Sequence, residues 1–220
     1  MLRHLSNSKF LIPAMISLAI LAAGLGFYVS LKQSQQQQVN ASIKSDIEEL
    51  FWPNPKQVGD FNTLDHTGTK FGYEQLAGKW SFIFFGYTHC PDVCPITMSV
   101  MADVYKKLQP QHDDIQVIFA SVDPDRDTTE KLAQYVSYFN KDFIGLGGDS
   151  EKVNSLTKQI GVAYYINKEK QEENYLVDHT ASIFLFDPKA RLIGKLSVPH
   201  EADKIIQQFT DIKTFVNAQK

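Results

Sequence analysis

Apolar positions fall along this chain in three rhythms, and each rhythm predicts a different kind of element. From Phe10 to Leu31 they run without a charged residue, bounded by Lys9 and Lys32. A run of about twenty such residues matches a hydrocarbon core about 30 Å thick, and the prolines and glycines inside it (Pro13, Gly24, Gly26) are tolerated in lipid. A cleaved secretory signal would have a shorter apolar core of about 7 to 15 residues. The length therefore favours a retained transmembrane anchor at 10–31, although Ala22-Ala23-Gly24 leaves cleavage open. Arg3 and Lys9 precede the run and the neutral stretch Gln33 to Gln38 follows it. The positive-inside bias then predicts a cytoplasmic N-terminus at 1–9 and places the remainder outside. Nine residues leave no room for an Arg-rich mitochondrial transit peptide, so the expected location is a bacterial inner membrane with a periplasmic domain.

The second rhythm is a polar, glutamine-rich stretch over 32–57, closed by Pro53 and Pro55, which reads as a tether. The third begins near Val58 and continues to residue 220, alternating short β-branched or aromatic runs with helical periodicity. Asp60 to Leu64 and Thr69 to Phe71 flank the turn Asp65-His66-Thr67-Gly68 as a short hairpin, and Glu74 to Leu76 forms one helical turn. Trp80 to Phe85 and Ile115 to Val122 read as buried strands. Met98, Met101, Val104, Tyr105 and Leu108 mark the helix between them. Asp127 and Glu130 have capping-box spacing ahead of a helix through Phe139. Phe143 to Leu146 is a strand, and Ser150 to Ile160 is a helix stopped by Gly161. Lys168 to Asn174 is a charged, exposed loop. Ser182 to Phe186 and Leu192 to Ser197 make a hairpin, and Ala202 to Val216 is an amphipathic closing helix. Alternation on this scale predicts an α/β domain of βαβ units with right-handed crossovers in one sheet.

With 220 residues, 43% of them hydrophobic, the chain can bury one substantial core. Its formal charge of −3 comes with no basic stripe, which argues against a nucleic-acid partner. The two cysteines, Cys90 and Cys94, change the picture more. They fall where the Trp80 strand hands over to a helix, with a proline after each. If Cys94 lies in the first turn, the i, i+4 pair shares one helix face with Cα atoms about 6 Å apart, at 1.5 Å rise per residue. That separation suits a disulfide or a shared metal ion. Both need thiolates, which a helix N-terminus favours. A purely structural disulfide closing so short a loop would add little stability, because the entropic effect grows with loop length.

Six histidines compete as a further ligand: His4, His66, His89, His112, His179 and His200. His179, within Asp178-His179-Thr180, is favoured by position. If the final hairpin lies beside the cysteine-bearing strand, the loop before Ser182 faces Cys90 and Cys94. His89 is next in line, and Asp178 is a candidate supporting charge. Two thiolates and an imidazole select copper(I) or zinc, and three-coordination suits copper(I). A structural zinc usually brings a fourth ligand, while the same S₂N set also occurs with copper(II).

Three stretches in order carry a resemblance: Phe85-Gly86-Tyr87-Thr88-His89-Cys90-Pro91-Asp92-Val93-Cys94-Pro95, then Ser121-Val122-Asp123-Pro124-Asp125-Arg126-Asp127-Thr128, then Asp178-His179-Thr180. Together they resemble the signatures of the Sco/SenC family, across nearly the whole domain from Val58. The resemblance implies a thioredoxin-like (redoxin) fold, a central mixed sheet flanked by helices, on one N-terminal transmembrane helix. It implies one copper per domain, Cu(I) or Cu(II), held by Cys90, Cys94 and His179. It further implies a metallochaperone, not an enzyme, that assists assembly of the dinuclear copper centre of cytochrome c oxidase subunit II, with a periplasmic copper donor and a thiol reductant as further partners. Relatives divide between copper transfer, thiol reduction of that subunit's cysteines through the Cys90–Cys94 pair, and redox sensing.

Two other chemistries fit less well. A general thiol-disulfide oxidoreductase would show Cys-x-x-Cys and a proline before the facing strand, where this chain has Cys-x-x-x-Cys and Thr180-Ala181-Ser182. A peroxiredoxin-type peroxidase needs a threonine three residues before its reactive cysteine. Tyr87 and Pro91 stand there instead.

Overall fold

The computed structural model describes residues 18–35, 51–59, 61–166 and 175–218. The chain divides into two units, Met1–Asp46 and Ile47–Lys220. In the first, helix α1 covers 18–35 and is exposed along its whole length, including Leu18, Ile20, Leu21, Leu25 and Phe27. Among the described residues no helix is long and apolar enough to cross a membrane. The first part of the expected 10–31 anchor, residues 10–17, lies outside the described residues. The helix also runs past Lys32 into the expected tether, since lysine and glutamine are good helix formers.

The second unit is built on an eight-stranded mixed sheet in the order β1-β10-β9-β4-β5-β6-β2-β3. Its centre is β4 (Trp80–Gly86) and β5 (Ile115–Ser121), paired in parallel and buried at every position. Their near-continuous apolar sequences suit strands covered on both faces. On one side β6 (Ile144–Gly147) continues in parallel with β5, and the hairpin β2 (Thr63–Asp65) and β3 (Lys70–Phe71) closes that edge. On the other side β9 (Ile183–Phe186) lies antiparallel to β4, followed by β10 (Arg191–Leu196).

Strand alternation assigns the helices to faces. Phe82 meets Phe209 of α6 (Ala202–Ala218) at 5.2 Å between centroids, and Phe119 meets Tyr135 of α4 (Thr129–Phe139) at 4.7 Å. Helix α3 (Val93–Leu108) packs with α6 and buries Met98, Met101 and Val104. Each aromatic or aliphatic side chain buried in this way contributes about 1.5 to 3 kcal/mol. Helix α5 (Ser150–Ile160) brings Val153 and Leu156 beside Phe85 and Leu146 on the opposite face. The one-turn helix α2 (Tyr73–Leu76) links β3 to β4.

The hairpin, the buried strands and the closing helix stand where the hydrophobic pattern predicts them. Three expectations need correction. First, the folded unit starts before Val58, because Phe51–Gln57, assigned to the tether, forms edge strand β1 against β10. Its two prolines suggested a linker, but an edge strand tolerates proline, and the pairing is irregular between Phe51 and Lys56. Second, His179 is not in a loop: β8 (Val177–His179) pairs with β7 (Tyr164–Ile166) in a separate two-stranded ribbon. Third, Asp127 does not cap α4. Thr128 does, accepting from the Lys131 amide. The predicted loop Lys168 to Asn174 lies outside the described residues.

Candidate metal centre

The parallel strands β4 and β5 end side by side, and the Val122 amide donates to the Gly86 carbonyl at 2.9 Å. In open α/β sheets this carboxyl end is where ligands collect. Here β4 hands over through residues 87–92 to α3, which begins at Val93, so Cys94 sits in the first helical turn and Cys90 just before it. Cys94 is fully buried and Cys90 partly exposed. Gly86 makes room for this arrangement, since a Cβ there would meet the Cys94 Sγ at 2.8 Å and the Phe119 ring at 2.9 Å.

The ribbon β7–β8 supplies the third group. Thr180 locks it in place, its amide donating to the Ala163 carbonyl at 2.9 Å and its hydroxyl accepting from the Ala163 amide at 3.1 Å. His179 then packs edge-on to Phe84 and Tyr87 and places Nε2 3.4 Å from the Cys94 Sγ. Its Nδ1 lies 3.2 Å from the Thr180 carbonyl, which can only accept, so the proton belongs on Nδ1 and the Nε2 lone pair faces the sulfurs. One ligand atom each from Cys90, Cys94 and His179 lie within 4.8 Å of one another. Among the described residues no other cysteine, histidine or acidic side chain joins this or forms a second such group.

The thiols are electrostatically unequal. Hydrogen bonding from Cys94, and to a lesser degree from the Asp92 and Cys94 backbone, lowers the Cys90 thiol to about 4, against a smaller cost of burial. Cys94 moves the other way, because its proton is held by the hydrogen bond to Cys90 and its surroundings are apolar. The metal-free pair therefore shares one proton, and a metal ion bound by both sulfurs must displace it.

The remaining histidines are engaged elsewhere. His89 turns its Nδ1 to the Thr88 hydroxyl at 3.1 Å and lies 3.8 Å from Asp127. His66 accepts from the Gly145 amide, and His112 packs on Phe209 beside Lys213. His200 sits between the Thr97 hydroxyl and the Leu196 carbonyl, and burial lowers its pKa. His4 lies outside the described residues. Asp178 is exposed, because strand alternation turns it away from His179, so the Thr180 carbonyl and not a carboxylate orients the imidazole.

What residue patterns alone missed is the carboxylate scaffold behind the thiols. Asp127 is buried and accepts from the Thr88 amide at 3.0 Å, the Thr88 hydroxyl at 2.6 Å and the Ser121 hydroxyl at 2.6 Å, tying the cysteine loop to β5. Asp123 accepts from the Arg126 guanidinium and, at 2.6 Å, from the Tyr175 hydroxyl, which burial and this bond push up to about 12. Arg126 lies 3.5 Å from the centre of the Tyr175 ring and 5.6 Å from that of Tyr87. The available signal was the density of acids just after a buried strand, which also fits a simple helix cap.

Fold and site together define a class, a thioredoxin-like α/β domain whose strand-to-helix turn sets two unequal thiols against an imidazole. The chain belongs to the SCO1/SenC family, whose model matches residues 53–214. An SCO2-like protein of Rickettsia felis is 32% identical over 196 residues, covering 87% of this chain and 91% of that one. Bradyrhizobium japonicum ScoI, solved with copper bound, is 32% identical with a TM-score of 0.64 over 70% of this chain and 98% of its own. Arabidopsis thaliana ScoI, also with copper bound, is 31% identical with a TM-score of 0.66 over 71% and 98%.

Proposed function

We propose that this chain is a membrane-anchored copper metallochaperone that carries one copper ion on Cys90, Cys94 and His179 and assists assembly of the dinuclear copper centre of cytochrome c oxidase subunit II. The observation that carries the reading is the convergence of two sulfurs and one imidazole nitrogen within 4.8 Å. The donor set is soft and three-fold, which suits copper(I) as cargo better than zinc. The copper-bound relatives point the same way.

The residues divide the task. Cys94 is the sheltered donor, Cys90 and His179 are both partly exposed, and Cys90 is the one at which an incoming ligand of the acceptor replaces a donor of the carrier. Cys90 needs no deprotonation at neutral pH, and Cys94 gives up its proton as the ion is bound. Anchoring through 10–31, with residues 1–9 cytoplasmic and the folded unit periplasmic, keeps the carrier near a membrane-bound acceptor and raises effective concentration. The exposed apolar surface of α1 supports that anchoring.

A second reading has its own support: a thiol-disulfide reductase for the same subunit's cysteines, or a thiol-redox sensor. A low-pKa accessible Cys90 beside a buried, protonated Cys94 is an attacking thiol with a resolving partner. Anaerobic copper(I) titration of the reduced protein, with X-ray absorption at the copper edge, separates the two. One copper per chain with sulfur and nitrogen neighbours is expected, lost on oxidation to the disulfide. A reduced protein that binds no copper yet reduces the subunit's disulfide establishes the second reading.

A further inference from the structure

One approach to the thiol pair carries a built surface. An open groove leads to Cys90 between the cysteine loop and one face of α4, walled by His89, Lys131, Gln134, Tyr135 and Tyr138. Positions 131, 134, 135 and 138 share a helix face by their spacing. Tyr138 is 84% exposed, though α4 buries Leu132 and Val136 on its other side. Tyrosine is among the residues that carry most of the binding energy where a groove of this kind is an interface. Tyr135 lines the groove, and its hydroxyl is buried without a hydrogen-bond partner among the described residues. The groove's fixed charge has one sign: among the described residues Lys131 makes no side-chain ion pair, and no acidic residue lines the cleft.

We propose that this groove is the docking surface for an extended, acidic segment of the partner protein, which lays its backbone along α4 and delivers the cysteine that follows it to Cys90. Lys131 reads the segment's carboxylates, and Tyr138 covers its backbone. The proposal rests on the reading of Cys90 as the exchanging thiol, and it adds which face of the domain the partner meets and with what charge. Cys94 and His179, which do not line the groove, are left free to hold the ion during the encounter.

The test uses the full-length chain in detergent with Cys94→Ser, so that Cys90 is the single thiol. Two synthetic peptides carry one cysteine as a mixed disulfide with thionitrobenzoate, one flanked by Asp and Glu and the other by Lys. Cys90 thiolate attacks the peptide sulfur, a Cys90–peptide disulfide forms, and the coloured thionitrobenzoate thiolate leaves, so each turnover is counted. The acidic peptide is expected to react about tenfold faster than the basic one, with the preference collapsing at 1 M salt, where screening acts over about 3 Å. Lys131→Glu should invert the preference and Tyr138→Ala should slow the acidic peptide several-fold. In both, the rate with an uncharged small disulfide such as dithiodipyridine, whose released pyridinethione is also coloured, should stay unchanged, which shows an intact loop. Equal rates for the two peptides, or a preference untouched by Lys131→Glu, overturn the proposal. Copper(I) titration of the same variants with Cys94 restored reads the other claim separately. Normal copper binding without peptide preference removes the groove alone, and peptide preference without copper binding removes the carrier reading alone.

Discussion

The two ends of the central sheet hold similar residues and use them differently. At the end away from the cysteines, Asp187 is buried and accepts from the Lys189 and Arg191 amides at 3.0 and 2.9 Å and from the Arg191 guanidinium. Asp114 pairs with Lys213 at 3.3 Å. Both of these carboxylates are answered by neighbours, and the result is a closed hairpin turn and a docked helix. At the cysteine end Asp123 and Asp127 are answered just as fully, but in front of them stand three donor groups, two sulfurs and an imidazole nitrogen, turned toward one another. Saturated charges hold backbone in place, whereas donors that share a single proton are ready for a cation. The difference between scaffold and site is thus one of leftover valence, not of residue type.

The comparison breaks first if copper follows the wrong end. Cys94→Ser should lower copper(I) affinity by more than about a hundredfold, because losing an outer partner of a ligand alone costs about 10 to 100-fold. Arg191→Met should leave that affinity unchanged while lowering stability by about 2 kcal/mol, since Asp187 keeps its two amide donors. Competition titrations with a copper(I) chelator and urea unfolding of the two variants measure both. An Arg191 variant that loses copper would abolish the distinction.

The shared proton sharpens it next. In the reduced, metal-free protein Cys90 should be alkylated with a pH midpoint near 4, far below that of an ordinary thiol. The largest cause of the lowering is the Cys94 hydrogen bond, so Cys94→Ala must move the midpoint upward and slow alkylation at acid pH. Iodoacetamide labelling followed by mass spectrometry gives the midpoint. A profile that stays put in Cys94→Ala would mean the two thiols are not coupled.

The smallest effect belongs to the scaffold. Asp127→Asn removes a carboxylate that accepts two hydrogen bonds from Thr88 and one from Ser121 of β5, and should cost about 1 to 3 kcal/mol of stability and up to about tenfold in copper affinity. The ligand set itself should be unchanged, read as the same sulfur and nitrogen scatterers. Loss of one scatterer would promote Asp127 from scaffold to a part of the site.

Much of this architecture was written locally. The all-apolar runs of β4 and β5, the period of α3 and Gly161 ending α5 with a left-handed backbone are short-range consequences of side-chain type, and they stand where the pattern puts them. The Cys90–Cys94 spacing at a strand-to-helix turn was likewise legible, because four residues of chain cannot carry the sulfurs far apart. Other features depended on long-range pairing that no local window contains. That Phe51–Gln57 is a strand follows from the open edge of β10, not from its own prolines. That Asp127 braces Thr88 follows from β4 and β5 ending together, which turns a residue with the look of a helix cap inward. The choice of His179 over His89 is the clearest case. His89 is adjacent to Cys90 in sequence, yet Asp127 and Thr88 occupy its ring, while a ribbon 85 residues beyond Cys94 brings His179 Nε2 to 3.4 Å. Residue types determined which chemistry was available, and the packing of the sheet ends decided which side chains were left unsatisfied to perform it.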